Sequence, residues 1–269
     1  MAGSIRQNEL PTSDIPSFRG MSYSPAVSMD WQSTAEGETI LQHLYNPQNS
    51  GRKFFGLLER PAVPSNVEEV SYKLFVVGSS GVGKTATVAR LAGLKCSSTY
   101  YETSGIQKTN VYWPVKIWDK IIMFKLQFWD SGKNCIKKYS HILSSCQSQT
   151  DALVFVFSFM KKSTLTDLPK TIGAYVKACE DPAVVAIGTR FKSPTQLEVT
   201  QYDVKEFEMK MQIPVLKIEN KWTPGRNEVH DVAPVLNMIC ERLWMRDQDY
   251  LYKHGMVRDA GSSPKKKGA

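Results

Sequence analysis

The run Gly78-Ser79-Ser80-Gly81-Val82-Gly83-Lys84-Thr85 fits the pattern G-x-x-x-x-G-K-[ST] without a gap. Residues of these types at these positions suit the cradling of a polyphosphate. Glycines at 78, 81 and 83 let the backbone curl so that successive N–H groups turn toward anionic oxygens. A helix that starts at Lys84 adds its own unpaired N–H groups and the positive end of its dipole. Ser80, Gly81, Val82, Gly83, Lys84, Thr85 and Ala86 are therefore the candidate phosphate ligands. The Lys84 ammonium can bridge the β- and γ-phosphates, and the Thr85 hydroxyl can take one place in a Mg²⁺ shell. A glycine turn beside a surface lysine would share the letters but not the setting, which needs an apolar strand before the loop and a helix after it.

That setting is legible in the chain. Tyr72–Val77 is a β-branched and aromatic run ending in glycine, and Lys84–Leu94 follows with Ala86, Val88, Ala89 and Leu91 at helical spacing. Val111–Ile117 and Ile121–Trp129 read as two strands joined by a turn at Asp119-Lys120. Ala152–Ser158 is a continuous apolar run of strand length, as a fully buried parallel strand requires. Leu165–Glu180 reads as a helix, Val184–Ile187 as a strand, Tyr202–Met211 as a helix, Val215–Ile218 as a strand and Val232–Trp244 as a final helix. Strands alternating with helices predict an α/β domain, a mostly parallel six-stranded sheet with helices on both faces.

The sequence divides further. Residues 1–30, rich in Ser, Pro and Asn and without a period, are expected to be a disordered leader. Residues 31–70 read as an accessory segment. There Ser33-Thr34-Ala35-Glu36 has the letters of a capping box ahead of Ile40, Leu41 and Leu44, and Phe54, Phe55, Leu57 and Leu58 form an apolar cluster. This segment is either an extra helix and strap on the main domain or an arm that binds a partner. Residues 71–250 hold the domain, and 251–269 form a basic flexible tail with Lys265, Lys266 and Lys267.

Composition bounds the rest. With 269 residues, 42% hydrophobic and 10% aromatic, the chain can bury a real core. Its longest apolar run falls far short of the ~20 residues that span a bilayer, and no secretory leader is expected at its start. Five scattered cysteines without C-x-x-C spacing read as reduced thiols in a cytosolic protein. The net charge is +8. The basic residues are dispersed and no aromatic–basic RNA module appears, so nucleic acid is not the expected partner. The four histidines lie far apart and none is assigned to catalysis. Among the aromatics of the paired strands, Trp113-Pro114 is the expected exposed contact.

The loop variant Gly-x-Ser-Gly-Val-Gly-Lys-Thr resembles that of Rab-like small GTPases, and other landmarks keep the same register. Thr103, in Glu102-Thr103-Ser104-Gly105-Ile106, follows Thr85 at the interval of that family's switch I threonine. Phe128-Trp129-Asp130 ends an apolar strand, as the family's Walker B aspartate does. Ile187-Gly188-Thr189-Arg190-Phe191-Lys192 stands where the family carries N-K-x-D. A narrower likeness, through Phe55-Gly56-Leu57-Leu58-Glu59-Arg60-Pro61, Tyr72-Lys73, Arg90-Leu91-Ala92-Gly93-Leu94 and Glu102–Gln107, is to Rab-like GTPases of the ciliogenesis and planar cell polarity effector group. The resemblance implies a P-loop small-GTPase fold that binds GTP or GDP with Mg²⁺. Thr103 would then join the phosphate ligands, with Thr85, Thr103 and, through water, Asp130 at the metal, and Thr189, Arg190 and Lys192 at the base. It also implies targeted vesicle and protein transport in cilium assembly, at the basal body, with the other proteins of that effector complex as partners.

Three departures bear on that expectation. At switch II the run is Asp130-Ser131-Gly132-Lys133-Asn134, and neither an ungapped nor a one-deletion reading supplies the family's water-orienting glutamine. Family members that have it hydrolyse GTP unaided at only about 10⁻⁴–10⁻³ s⁻¹, so either slow hydrolysis or a non-hydrolysing, GTP-held adaptor is expected. At the base site Lys192, a donor, replaces an aspartate acceptor, a loss of roughly 1.5–3 kcal/mol. Glu219 in Glu219-Asn220-Lys221 is a candidate replacement. The tail ends Lys265-Lys266-Lys267-Gly268-Ala269, with no prenylation cysteine, so no lipid anchor is expected and membrane contact should be indirect.

Overall fold

The central apolar runs pair side by side. In the computed structural model, which describes residues 25–45, 67–94, 102–132, 148–192, 197–221 and 228–255, they form one mixed sheet in the order β2-β3-β1-β4-β5-β6. In chain order the elements are α1 (Ala35–Tyr45), β1 (Glu68–Val77), α2 (Lys84–Leu91), β2 (Ile106–Ile117), β3 (Lys120–Ser131), β4 (Ala152–Ser158), α3 (Ser163–Thr166), α4 (Leu168–Val176), β5 (Ala183–Thr189), α5 (Gln201–Met211), β6 (Val215–Ile218) and α6 (Glu228–Lys253). β1 pairs in parallel with β3 and β4, β4 with β5, and β5 with β6, while β2 runs antiparallel to β3 at one edge. Every residue of β4 and β5 is buried, as strands covered on both faces must be.

Alternation along the strands splits the core into two layers. Leu74, Val76, Phe124, Leu126, Phe128 and Val154 face α2 and α6, which contribute Val88, Leu91, Leu236 and Leu243. Phe75, Val77, Leu153, Phe155 and Phe157 face α3, α4 and α5, with Leu165, Ile172, Val204 and Phe207. Helices thus cover both faces, as the alternating pattern predicts.

Several expectations are corrected. The segment from Leu165 to Glu180 is not one helix: Pro169, which has no N–H to give, sits at the second position of α4, and a break at Asp167 separates it from α3. The turn of the β2–β3 hairpin is Trp118-Asp119, one residue earlier than expected, with Trp118 in the left-handed region (φ +52°). The cap of α1 is Thr34, whose Oγ1 accepts from the amide of Gly37 at 3.2 Å. The expected Ser33···Glu36 box is one residue out of register, and Glu36 instead accepts from Lys116 Nζ at 2.6 Å and Trp31 Nε1 at 3.0 Å. The apolar cluster at Phe54–Leu58 lies outside the described residues.

Residues 25–30, expected within a disordered leader, form an ordered strap. Val27 makes an antiparallel bridge to Ile117 at the β2 edge, and Ser28 N–H donates to the Lys116 carbonyl at 2.9 Å. The Glu241 carboxylate on α6 accepts from the amides of Ala26 and Val27 at 3.1 and 2.6 Å. Asn237, also on α6, bonds Gln32, the Met29 carbonyl and Trp113 Nε1, the last at 2.7 Å. Trp113 is therefore 0% exposed, not the open contact that its sequence neighbourhood suggests. Beyond the strap, Ile40 of α1 packs on Tyr112 and Met123, so the N-terminal segment straddles the edge strand and touches both of its faces. That is the strap reading of the segment.

Candidate functional site

β1 delivers the chain to Gly78 at the carboxyl end of the sheet, the pole where open α/β sheets bind ligands. A Cβ on Gly78 would lie 2.4 Å from the Val156 carbonyl oxygen of β4, so the close approach of loop and strand requires glycine. Gly83 adopts φ +102° as the residue capping α2, a conformation that L side chains avoid. Between them Val82 is buried in the core and anchors the loop, while Ser80 is exposed at its crest. Lys84 is buried, and its ammonium donates to the carbonyls of Gly78 at 3.1 Å and Ser79 at 3.2 Å. Ala86, half-buried, lies in the first turn of α2.

Three oxygens meet beside the loop. Thr85 Oγ1 lies 2.7 Å from Thr103 Oγ1 and donates to Asp130 Oδ2, and Thr103 Oγ1 stands 3.3 Å from that same carboxylate oxygen. Three elements bring them there: the start of α2, the stretch ahead of β2 and the end of β3. Gly132 presses two of these segments together, since a Cβ on it would lie 2.2 Å from the Thr103 carbonyl oxygen. Asp130 is 2% exposed and its Oδ1 has no hydrogen-bond partner among the described residues. A buried carboxylate oxygen left without a partner, next to two hydroxyls, suits a hard divalent cation that prefers oxygen ligands. These residues fit Mg²⁺. Lys133 and Asn134, where the sequence leaves two registers open, lie outside the described residues.

The loop after β5 turns toward the phosphate loop. Thr189 is fully buried, and its hydroxyl lies 2.7 Å from the Val82 carbonyl and 3.1 Å from that of Phe157. Arg190, at φ +59°, donates to the Gly81 carbonyl at 2.8 Å. Lys192 is exposed, its Nζ 5.5 Å from the centre of the Phe191 ring. From the loop after β6, Asn220 Nδ2 lies 3.1 Å from Thr87 Oγ1 and 3.5 Å from the Gly83 carbonyl. Glu219 accepts from the Lys221 amide at 3.3 Å. The sequence offers Gly132 only as a switch II glycine in one of two registers and gives no role to Asn220; their close approaches here are to the Thr103 carbonyl and to Thr87. In the Glu219-Asn220-Lys221 run the carboxylate is the residue whose charge suggests an acceptor, whereas the neutral Asn220 is the one that reaches Thr87.

The Ras family model matches residues 73–232, which runs from within β1 through β6 and takes in the loops just described. Ciliogenesis and planar polarity effector 2 of Xenopus laevis is 38% identical over 241 residues, covering 85% of this chain and 96% of that protein. The Homo sapiens protein of the same name is 38% identical over 237 residues, covering 82% and 90%. Ras-related protein Rab-12 of Homo sapiens is 26% identical over 148 residues, covering 54% and 57%. The chain belongs to the Ras family, as a Rab-like member of the ciliogenesis and planar polarity effector group. Among the described residues no helix is long and apolar enough to cross a membrane.

Proposed function

We propose that this protein is a Mg²⁺-dependent GTP/GDP switch that acts in targeted vesicle and protein transport during cilium assembly. The observation that carries the reading is the convergence of Thr85, Thr103 and Asp130 on one point beside a glycine loop with Lys84 at its base. In this reading the loop amides from Ser80 to Ala86 and the Lys84 ammonium hold the phosphates, for which Lys84 exchanges its carbonyl partners for phosphate oxygens. Thr85 and Thr103 would hold Mg²⁺ directly and Asp130 through water; the ion neutralises phosphate charge when bound. Thr103 lies in the stretch ahead of β2, so engaging it orders that stretch, and partners that read its conformation distinguish the GTP state from the GDP state.

The nucleotide domain is assigned to residues 71–250, with 31–70 as an accessory segment and 251–269 as a tail. In this reading its partners are ciliogenesis and planar polarity effector proteins, which the relatives' names support, and it acts at the basal body. A second reading, a GTP-held adaptor that does not hydrolyse, is favoured by Asp130-Ser131-Gly132-Lys133-Asn134, which lacks a glutamine to orient water. Titration of the full chain with labelled GTP, with Mg²⁺ and then with EDTA, tests binding. Phosphate release in a single turnover separates the two readings: slow release supports the switch, and none over hours supports the adaptor. Absence of Mg²⁺-dependent GTP binding would sink both.

A further inference from the structure

A second carboxylate stands beside the three oxygens, and the metal reading does not employ it. Glu102, exposed, directly precedes Thr103 in the stretch ahead of β2. A Cβ on Gly132 would lie 3.3 Å from Glu102 Cγ and 2.2 Å from the Thr103 carbonyl oxygen. The Glu102 side chain therefore lies against the residue that follows β3, with its carboxylate one bond beyond that contact. The Thr103 hydroxyl stands 2.7 Å from Thr85 and 3.3 Å from Asp130, so whatever seats Thr103 there seats Glu102 as well. From Gly78 to Gly132 the acids are Glu102, Asp119 and Asp130. Asp130 belongs to the metal set, and Asp119 sits in the hairpin turn at the far end of β2.

This placement answers a chemical need. In phosphoryl transfer the terminal phosphate lies beside the metal, hence on the Thr85–Thr103–Asp130 side of the loop. Water that attacks it must be held in line and must lose a proton. The run Asp130-Ser131-Gly132-Lys133-Asn134 has no glutamine to hold it. A carboxylate accepts hydrogen bonds from water through either oxygen and can take the proton. The same charge has a cost, because it repels the γ-phosphate of a triphosphate and has no such group to repel in a diphosphate.

We infer that Glu102 orients the attacking water and accepts its proton in a slow, intrinsic GTP hydrolysis. This rests on the switch reading above and names the residue that takes the place of the missing glutamine. The water oxygen bonds to the γ-phosphorus while the bond from that phosphorus to the β–γ bridging oxygen breaks. GDP keeps the electron pair of the broken bond. The water proton passes to the Glu102 carboxylate and from there to the released phosphate.

The test uses the full chain with Mg²⁺, measuring affinity for labelled GTP and GDP alongside phosphate release in a single turnover. Glu102→Gln, which keeps the size and loses the charge, should slow release about tenfold or more. The same variant should bind GTP about two- to tenfold more tightly and bind GDP as the wild type does. Glu102→Asp keeps the charge but draws it back by one methylene. Its release should also slow, while the wild-type ratio of GTP to GDP affinity holds. Release from Glu102→Gln at the wild-type rate overturns the inference and leaves the switch reading standing. Equal weakening of GTP and GDP in Glu102→Gln overturns it too, since that is the mark of a purely structural contact. No release from the wild type over hours also overturns it, and GTP binding in that case supports the adaptor. If no nucleotide binds, the reading and the inference fall together.

Discussion

At Asp130 one carboxylate oxygen faces two threonine hydroxyls while the other is buried and has no hydrogen-bond partner among the described residues. An uncompensated buried charge destabilises the protein that carries it and is relieved by a cation. Asp130→Asn should therefore lower GTP affinity tenfold or more with Mg²⁺ present, and change it little in EDTA, in a nucleotide titration. Without nucleotide or metal the same variant should melt no lower than the wild type, because the substitution removes a buried charge whose Oδ1 has no hydrogen-bond partner among the described residues. A lower melting temperature there would show Asp130 to be mainly a structural bond to Thr85. The buried Tyr72 phenol, by contrast, donates to Asp247 at 2.6 Å, and burial, together with that carboxylate, pushes its pKa well above the usual tyrosine range.

At the scale of single elements, two helix ends make opposite lessons. In α5 a capping box is present: Thr200 accepts from the Asp203 amide, and Asp203 accepts from the Thr200 amide and hydroxyl. The bond from Lys162, then those from Thr200, hold the Asp203 carboxyl down to about 2. Its folded pKa is below the unfolded value, so its contribution is complete above about pH 4 and is lost as pH falls through about 2. Asp203→Asn should flatten that part of the acid-unfolding curve, measured against the wild type by circular dichroism. In α1 the letters S-x-x-E mislead, because Glu36 has better partners in Lys116 and Trp31, which lie outside its own helix turn. Thr34→Ala should cost about 0.5–2 kcal/mol in denaturant unfolding while Ser33→Ala costs little; the reverse order would restore the Ser33 box.

The same distinction explains what the sequence could disclose. β4 and β6 were legible to the residue, since an apolar run between turn residues depends on nothing distant. The setting of the glycine loop between β1 and α2 is legible because motif and flanking elements are contiguous in the chain, and the nearness of Thr103 to Thr85 follows the register that the resemblance implies. Trp113 was misread because what buries it, Asn237 and the strap, lies 124 and about 80 residues away. The contact of Asn220 with Thr87 is not legible because a neutral amide leaves no charge pattern in the sequence.

Across the whole molecule, Asn237 joins the strap, the edge strand and the last helix through one amide. Its Oδ1 accepts from Gln32 and Trp113, and its Nδ2 donates to the Met29 carbonyl and Gln32. Asn237→Leu keeps the volume but leaves those buried groups without partners, at about 1–3 kcal/mol for each. The expected loss is about 3 kcal/mol or more, read by denaturant unfolding, with faster amide exchange at Ala26–Ser28 in the same variant. Exchange unchanged at those amides would mean that Glu241 alone holds the strap.

The strap also sets an order of events during synthesis. Val27 finds its Glu241 carboxylate 214 residues later. At about 5–20 residues per second, translation takes about 10–40 s to make that stretch. Throughout that interval Val27 and Trp31 have left the ribosome while the helix that receives them has not yet been made. The N-terminal segment is thus among the first parts synthesised and the last to dock. A chain terminated before α6 would leave the β2 edge without its clasp, whatever the state of the nucleotide pole.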